Sequence, residues 1–389
     1  MISISRLLWD THSPGDTLRY GESPASSIKI RGAAPVVVWN CTSRCNLGCI
    51  HCYASAGEKG AEAEMDTASG KELIKDLAAF GVPVILFSGG EPLLRNDLPE
   101  LAGFAVDKGL RVTLSSNGTL ITEGIAEQLS RTGFAEVGIS LDGTESINDR
   151  FRGRQGAYQA ALVGIRNCVK EGLRVSLRFT ITRFNYQEIP AMFHLAEQEG
   201  VNRLCFYHLA YAGRGSTIVN DDIDHVQTRQ AVETICLLTG DFHSRGLQKE
   251  VLTVANHADG VHLYLKLKQS NPERAQDIYD LLKRNGGNNS GIRIGAVDPF
   301  GNVHPDQFWW HYSAGNVRQR SFGEIWTDIS DTIMRGLKDR KKLLKGRCSG
   351  CDYIDICNGN LRERAEAVYG DIWAEDPACY LTDEELGIK

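Results

Sequence analysis

The sequence predicts an α/β fold in two parts, a partial (β/α)6 barrel on a parallel sheet and a small C-terminal domain with its own cysteines. Three observations lead there. Between Pro35 and Leu209, short apolar or β-branched runs alternate with helical patterns, as βα units do. The runs are apolar almost throughout, which suits strands covered on both faces. Polar and glycine-rich segments follow them, where a parallel barrel places its chemistry, at the C-terminal ends of strands.

In chain order the expected strands are Val36–Trp39, Val84–Ser88, Val112–Ser115, Glu136–Leu141, Val175–Ile181 and Leu204–Leu209. Between them Leu73, Ile74, Leu77 and Phe80 fall at helical spacing, and Ile125, Ala126 and Leu129 do so after a Thr122 N-cap. Gly109 and Gly133 stand where C-caps stop those helices. Six units fall short of a closed barrel and leave a side mouth for a larger substrate. From Ala210 to Ile294 the pattern weakens into helical sequence that ends in the loop-like Asn285–Gly291, and a hairpin-like stretch follows over Ile294–Val303. The expected division is an N-terminal extension over 1–34, the barrel over 35–215, a helical connector over 216–291 and the cysteine-bearing domain over 292–389.

With 389 residues, 42% of them hydrophobic, the chain can bury a large core. No apolar run approaches the roughly 20 residues of a membrane span. A formal net charge of -6 leaves no global footprint for nucleic acid. The basic run from Arg335 to Arg347 reads either as a solvated helix face or as a clamp for an anionic substrate or donor protein. The chain opens Met1-Ile2-Ser3-Ile4-Ser5-Arg6, without a signal-peptide pattern, and its eleven cysteines are odd in number, so reduced thiols in the cytoplasm are expected.

The most informative segment is Cys45-Asn46-Leu47-Gly48-Cys49-Ile50-His51-Cys52, followed at once by Tyr53. Three thiolates in one short loop can hold three corners of a cubane [4Fe-4S] cluster and leave its fourth iron open to a ligand. A closed zinc site is the alternative, with His51 or Cys41 as fourth ligand.

That loop, its trailing Tyr53, and Gly89-Gly90-Glu91-Pro92 after the next strand together resemble the radical S-adenosylmethionine (SAM) superfamily. The resemblance implies a partial TIM-like barrel, a cluster on Cys45, Cys49 and Cys52, and SAM chelated by the open iron and cleaved to a 5′-deoxyadenosyl radical. It implicates Gly89, Gly90 and Glu91 at the methionine amino group, Ser116, Asn117, Ser140 and Asp142 near the ribose, Tyr53 beside the cluster, and Arg152 at the methionine carboxylate. Glycines admit close backbone approach, a carboxylate can accept from an ammonium, and a guanidinium pairs with a carboxylate in two-pronged fashion.

Cys348, Cys351, Cys357 and Cys379 resemble the outer auxiliary cluster of the SPASM/twitch-type extension. The inner cluster's positions read Leu361 and His304-Pro305-Asp306 here, so one auxiliary [4Fe-4S] cluster is expected, and four closed thiolates favour electron transfer. Tetrahedral zinc is again the alternative. Cys41, Cys168, Cys205 and Cys236 read as core thiols, with Cys41 alone near enough to the loop to reach the active site.

Over its whole length the chain is similar to the branch that trims side chains of siroheme-derived tetrapyrroles, on Val36–Asn40, Phe206–Gly215, Asn256–Gly260 and Trp309–His311. The resemblance implies removal of two acetate arms from 12,18-didecarboxysiroheme to give Fe-coproporphyrin III. Sister activities are side-chain removal toward the nitrite reductase heme and, more distantly, peptide or sulfatase maturation. A low-potential electron donor of the ferredoxin or flavodoxin kind is implied as partner. For an iron tetrapyrrole with several carboxylates the expected contacts are Arg178, Arg183 and Arg214, the rings of Tyr207, Tyr211, Trp309 and Trp310, and an axial ligand among His208, His257, His304 and His311. Each of those histidines could equally be structural. Cys41, Tyr207, His208 and Arg214 are the candidate catalytic residues.

Overall fold

The computed structural model describes residues 1–21 and 34–388. Its centre is one sheet of eleven strands, β1 (Ile2–Ser3), β2 (Val36–Thr42), β3 (Val84–Gly89), β4 (Arg111–Ser116), β5 (Glu136–Ser140), β6 (Val175–Ile181), β7 (Arg203–His208), β8 (Glu250–Val254), β9 (Ile294–Val297), β10 (Asn302–His304) and β11 (Gly315–Asn316). The spatial order is β1-β8-β7-β6-β5-β4-β3-β2-β9-β10-β11. From β9 through β2 to β8 every neighbouring pair is parallel, and the antiparallel β1 and the β10–β11 hairpin lie at the two edges. The sheet is therefore a mixed, open partial barrel.

All six expected strands form, five of them within a residue of their expected ends and the first running three residues further, to Thr42. Their helices are fixed by the local chemistry that the sequence carries. Thr122 accepts from the Ile125 N–H, and Gly133 takes the left-handed conformation at the other end of that helix. Leu73, Ile74 and Leu77 are buried against the sheet, with Phe80 half-buried beside them.

Two features depart from expectation. The segment read as a helical connector contains β8, and the first residues of the chain pair with it as β1. Both strands are too short to show a period of their own, and β8 is stabilised by its place in the sheet. The C-terminal hairpin, for its part, joins the barrel sheet directly, since β9 pairs with β2 in register from Val36 opposite Ile294 to Trp39 opposite Val297. The sheet thus carries the second cysteine set on the same scaffold as the first.

The basic run is largely a solvated face: Lys341, Lys342 and Lys345 are exposed, Lys341, Lys345 and Arg347 pair with Asp355, Asp371 and Asp383, and Arg340 alone of these basic residues is buried.

Candidate functional site

The loop after β2 is pinned so that its three thiols face one cavity. Cys45 N–H donates to the Gly57 carbonyl at 2.7 Å, and Gly48 N–H and Ile50 N–H donate to the carbonyls of Arg152 and Phe151. Arg214 clamps the loop from the far side, its Nε on the Cys49 carbonyl at 2.7 Å and a terminal nitrogen on the Ala56 carbonyl at 2.8 Å. The resulting cavity is lined by Cys45, Cys49 and Cys52 on one wall and by Gly89, Gly90, Ser116, Asn117 and Ser140 on another. Those residues end β3, β4 and β5, as the topology of a parallel barrel requires.

This donor set fits the cluster and the ligand that the motifs imply. Cys45 and Cys49 are buried on the cavity wall, with Cys52 half-buried beside them. Arg152 donates to the Cys49 sulfur at 3.6 Å and pairs with Asp142, and its Nε is buried without a partner. An orphaned guanidinium nitrogen beside a thiol wall is suited to an anionic ligand group.

The four C-terminal cysteines converge on a second, apolar cavity, with Asp376 and Asn360 at its edge. Two fully buried guanidiniums lie beside it, and their hydrogen bonds go to neutral groups only. Arg340 bonds Asn288 and the carbonyls of Leu337 and Ser290, and Arg362 bonds the carbonyls of Gly359, Ile372 and Ala374. Burial, with repulsion from Arg362, lowers Arg340 to about 9. Two such cations call for negative charge close by, which a cluster on four thiolates supplies. Where a further cluster would take ligands, Leu361 is packed in an apolar patch and Asp306 bonds Ser290 and the Phe308 N–H.

Residues 39–196 match the family profile described as the radical SAM superfamily. Over its full length the chain is 55% identical to Fe-coproporphyrin III synthase of Methanosarcina barkeri, covering 99% of that protein. The chain belongs to the radical SAM superfamily. It is also 42% identical to pre-heme d1 synthase of Dinoroseobacter shibae, over 91% of this chain and 88% of that one. In fold it is similar to SuiB of Streptococcus suis, with a TM-score of 0.69 at 16% identity over 91% of this chain and 78% of that one. As a radical SAM enzyme it uses a [4Fe-4S] cluster and SAM.

Several expected residues of this radical SAM enzyme take other places. Cys41 lies in the core with no exposure and does not line the cavity; burial pushes its thiol up to about 12, and it is no candidate for catalysis. Glu91 is fully buried behind the glycines, where it accepts from Ser116 at 2.9 Å, Asn117 N–H at 2.7 Å and Leu93 N–H at 3.2 Å. Burial raises it to about 7, so this carboxyl ties β3 to β4 rather than facing a ligand. Asp142 is likewise consumed, by Arg152, His51 and the Thr180 N–H. Arg214 serves the cysteine loop, and Arg183 is exposed, its guanidinium on the Asp222 carbonyl and its N–H on the Asp221 carbonyl. His51 packs on Phe151 and pairs with Asp142.

Tyr53 bonds Asn40 and Ser88 and packs edge to face on Phe308 at 5.5 Å between centroids. These two rings border both the main cavity and a neighbouring one lined by Tyr211, Trp310, His311, Glu363 and Glu366. Trp309 is buried and cannot stack on a ligand, whereas Arg178, Tyr207 and His208 do face the main cavity. His257 and His304 are buried elsewhere, against the N-terminal amine and the Tyr312 carbonyl.

Gly90 is the tightest point of the site. A Cβ there would collide with the Arg44 backbone carbonyl, which cannot yield as a flexible side chain would. Gly90→Ala is expected to weaken SAM binding at least about tenfold, by a displacement costing more than about 1.4 kcal/mol, with iron content unchanged. Isothermal titration of the cluster-loaded protein checks it.

Glu363, missed in the sequence, is raised to about 8 by burial, and among the described residues its carboxyl is held only by the Tyr211 N–H. A carboxyl raised from 4.5 contributes fully below that value and loses its contribution as pH rises toward about 8. Glu363→Gln is therefore expected to gain about 3 kcal/mol on the parent protein between pH 5 and pH 8. Denaturant midpoints across that range measure it.

Proposed function

We propose that this enzyme removes two acetate side chains from 12,18-didecarboxysiroheme to give Fe-coproporphyrin III. The observation that carries the reading is end-to-end identity of 55% with a protein of that product name. The paired cavities joined at Tyr53 and Phe308 agree with a substrate larger than SAM.

In this reading Cys45, Cys49 and Cys52 hold the cluster, and the backbone of Gly89 and Gly90 with Arg152 seats the methionine end of SAM. Ser116, Asn117 and Ser140 face its ribose. Bound together, cluster and SAM supply hydrogen-atom abstraction from an unactivated carbon. Glu91 and Asp142 act behind this layer, the first by fixing Ser116 and Asn117, the second by holding Arg152. Arg178, whose buried Nε has no partner, meets a substrate carboxylate, and Tyr207 packs on the macrocycle. Cys348, Cys351, Cys357 and Cys379 hold an auxiliary cluster that passes electrons, with Arg340 and Arg362 balancing its charge. A low-potential ferredoxin or flavodoxin-type protein is the donor, and the cytoplasm is the compartment. Among the described residues no helix is long and apolar enough to cross a membrane.

Reduced, cluster-loaded protein is expected to release 5′-deoxyadenosine several-fold faster with didecarboxysiroheme than without it, and to ignore peptides. Stimulation by a peptide alone would overturn the reading.

A further inference from the structure

His208 ends β7 at the wall of the main cavity, almost fully buried. Its Nε2 lies 3.0 Å from Asp259 Oδ2. Asp259 is itself completely buried, and its other oxygen accepts from the Tyr380 hydroxyl at 3.0 Å. A buried carboxylate beside Nε2 fixes the proton on that nitrogen and leaves Nδ1 with a free lone pair. Among the described residues Nδ1 has no hydrogen-bond partner, and it is not sealed in the interior, so it opens on the cavity that His208 lines.

An imidazole whose far nitrogen is held by a carboxylate is the arrangement of a metal ligand. His51 and His304 also set a ring nitrogen against a carboxylate, Asp142 and Asp298, but the second nitrogen of His51 is sealed in the interior and that of His304 is taken by the Tyr312 carbonyl. His257 and His304 do not line the main cavity, and His311 is raised toward its protonated form by its bond to Glu366 and has side-chain exposure of 57%.

We propose that His208, oriented by Asp259, binds the iron of the tetrapyrrole through Nδ1. The inference rests on the tetrapyrrole reading above and adds to it the ligand that sets the macrocycle's position. Asp259 is a positioning residue in this scheme. Its role explains why a carboxylate on the helix Ala258–Ser270 reaches across to β7.

The test uses full-length, cluster-loaded protein and two probes, ferric coproporphyrin III and metal-free coproporphyrin III. The parent protein is expected to bind the iron form at least about tenfold more tightly, and 15N-histidine labelling is expected to give nitrogen hyperfine coupling to the ferric iron. His208→Gly abolishes both the preference and the coupling, keeps its affinity for the metal-free ring, and recovers the preference with added imidazole. Asp259→Asn weakens iron-form binding about tenfold, the effect of losing a ligand's carboxylate partner. Equal binding of both probes by the parent protein, or coupling that survives in His208→Gly, overturns the assignment while leaving the tetrapyrrole reading intact. Failure of the parent protein to bind either ring overturns both.

Discussion

Replacing Cys45, Cys49 and Cys52 together by Ala removes SAM cleavage completely and leaves about half of the iron and acid-labile sulfide in the protein. The expectation follows from two thiol sets that line separate cavities, three cysteines in one and four in the other. If each holds a cubane, the iron count falls from about eight to about four per chain. The protein stays folded because the loop is held by backbone hydrogen bonds and by Arg214, none of which uses a sulfur. Loss of all iron in the triple variant would show that the C-terminal cysteines bind no cluster of their own.

The largest effect on stability is expected at Glu250. Its carboxylate, on β8 and nearly inaccessible, takes Arg19, Arg174 and Arg203, and Arg174 and Arg203 also pair with Glu136 on β5. The network ties the first residues of the chain, β5, β7 and β8 into one layer. Glu250→Ala strands three cations around a buried gap and is expected to cost about 3–5 kcal/mol, read as a lower denaturant midpoint. The dependence on pH has a definite sign. Burial alone would raise the Glu250 carboxyl, but Arg19 and Arg203 hold it at about 2 instead of 4.5. Its contribution is complete above pH 4.5 and fades as pH falls toward 2, by about 3 kcal/mol in all. A parent protein that loses no more stability than Glu250→Ala over that range would contradict the assignment.

The sequence shows most of this site because the chemistry is concentrated in short loops that follow strands. Cys45–Cys52, Gly89–Gly90, Ser116–Asn117 and Ser140 all reach one cavity, as their positions after successive strands require. The errors have physical causes. Cys41 was readable as a core thiol from strand alternation, since Val37, Trp39 and Cys41 share the outer face while Val38 lines the cavity. Glu91 and Asp142 carry the right groups for ligand contacts, but a buried carboxylate first satisfies nearby N–H and O–H donors, and three-dimensional packing decides which. The β8 strand and the Asp259–His208 pair depend on contacts between distant segments, 51 residues apart in the second case, for which no local pattern exists. Glu363 was invisible for the same reason, its environment being made by Tyr211 far upstream.

The central claim is that this radical SAM enzyme removes acetate arms from an iron tetrapyrrole, and the mass of the product tests it most directly. Anaerobic incubation of reduced, cluster-loaded protein with 12,18-didecarboxysiroheme and SAM is expected to yield a species with the mass of Fe-coproporphyrin III, both acetate arms gone. A product that retains either arm, or the mass of a pre-heme d1 species in its place, would contradict the account.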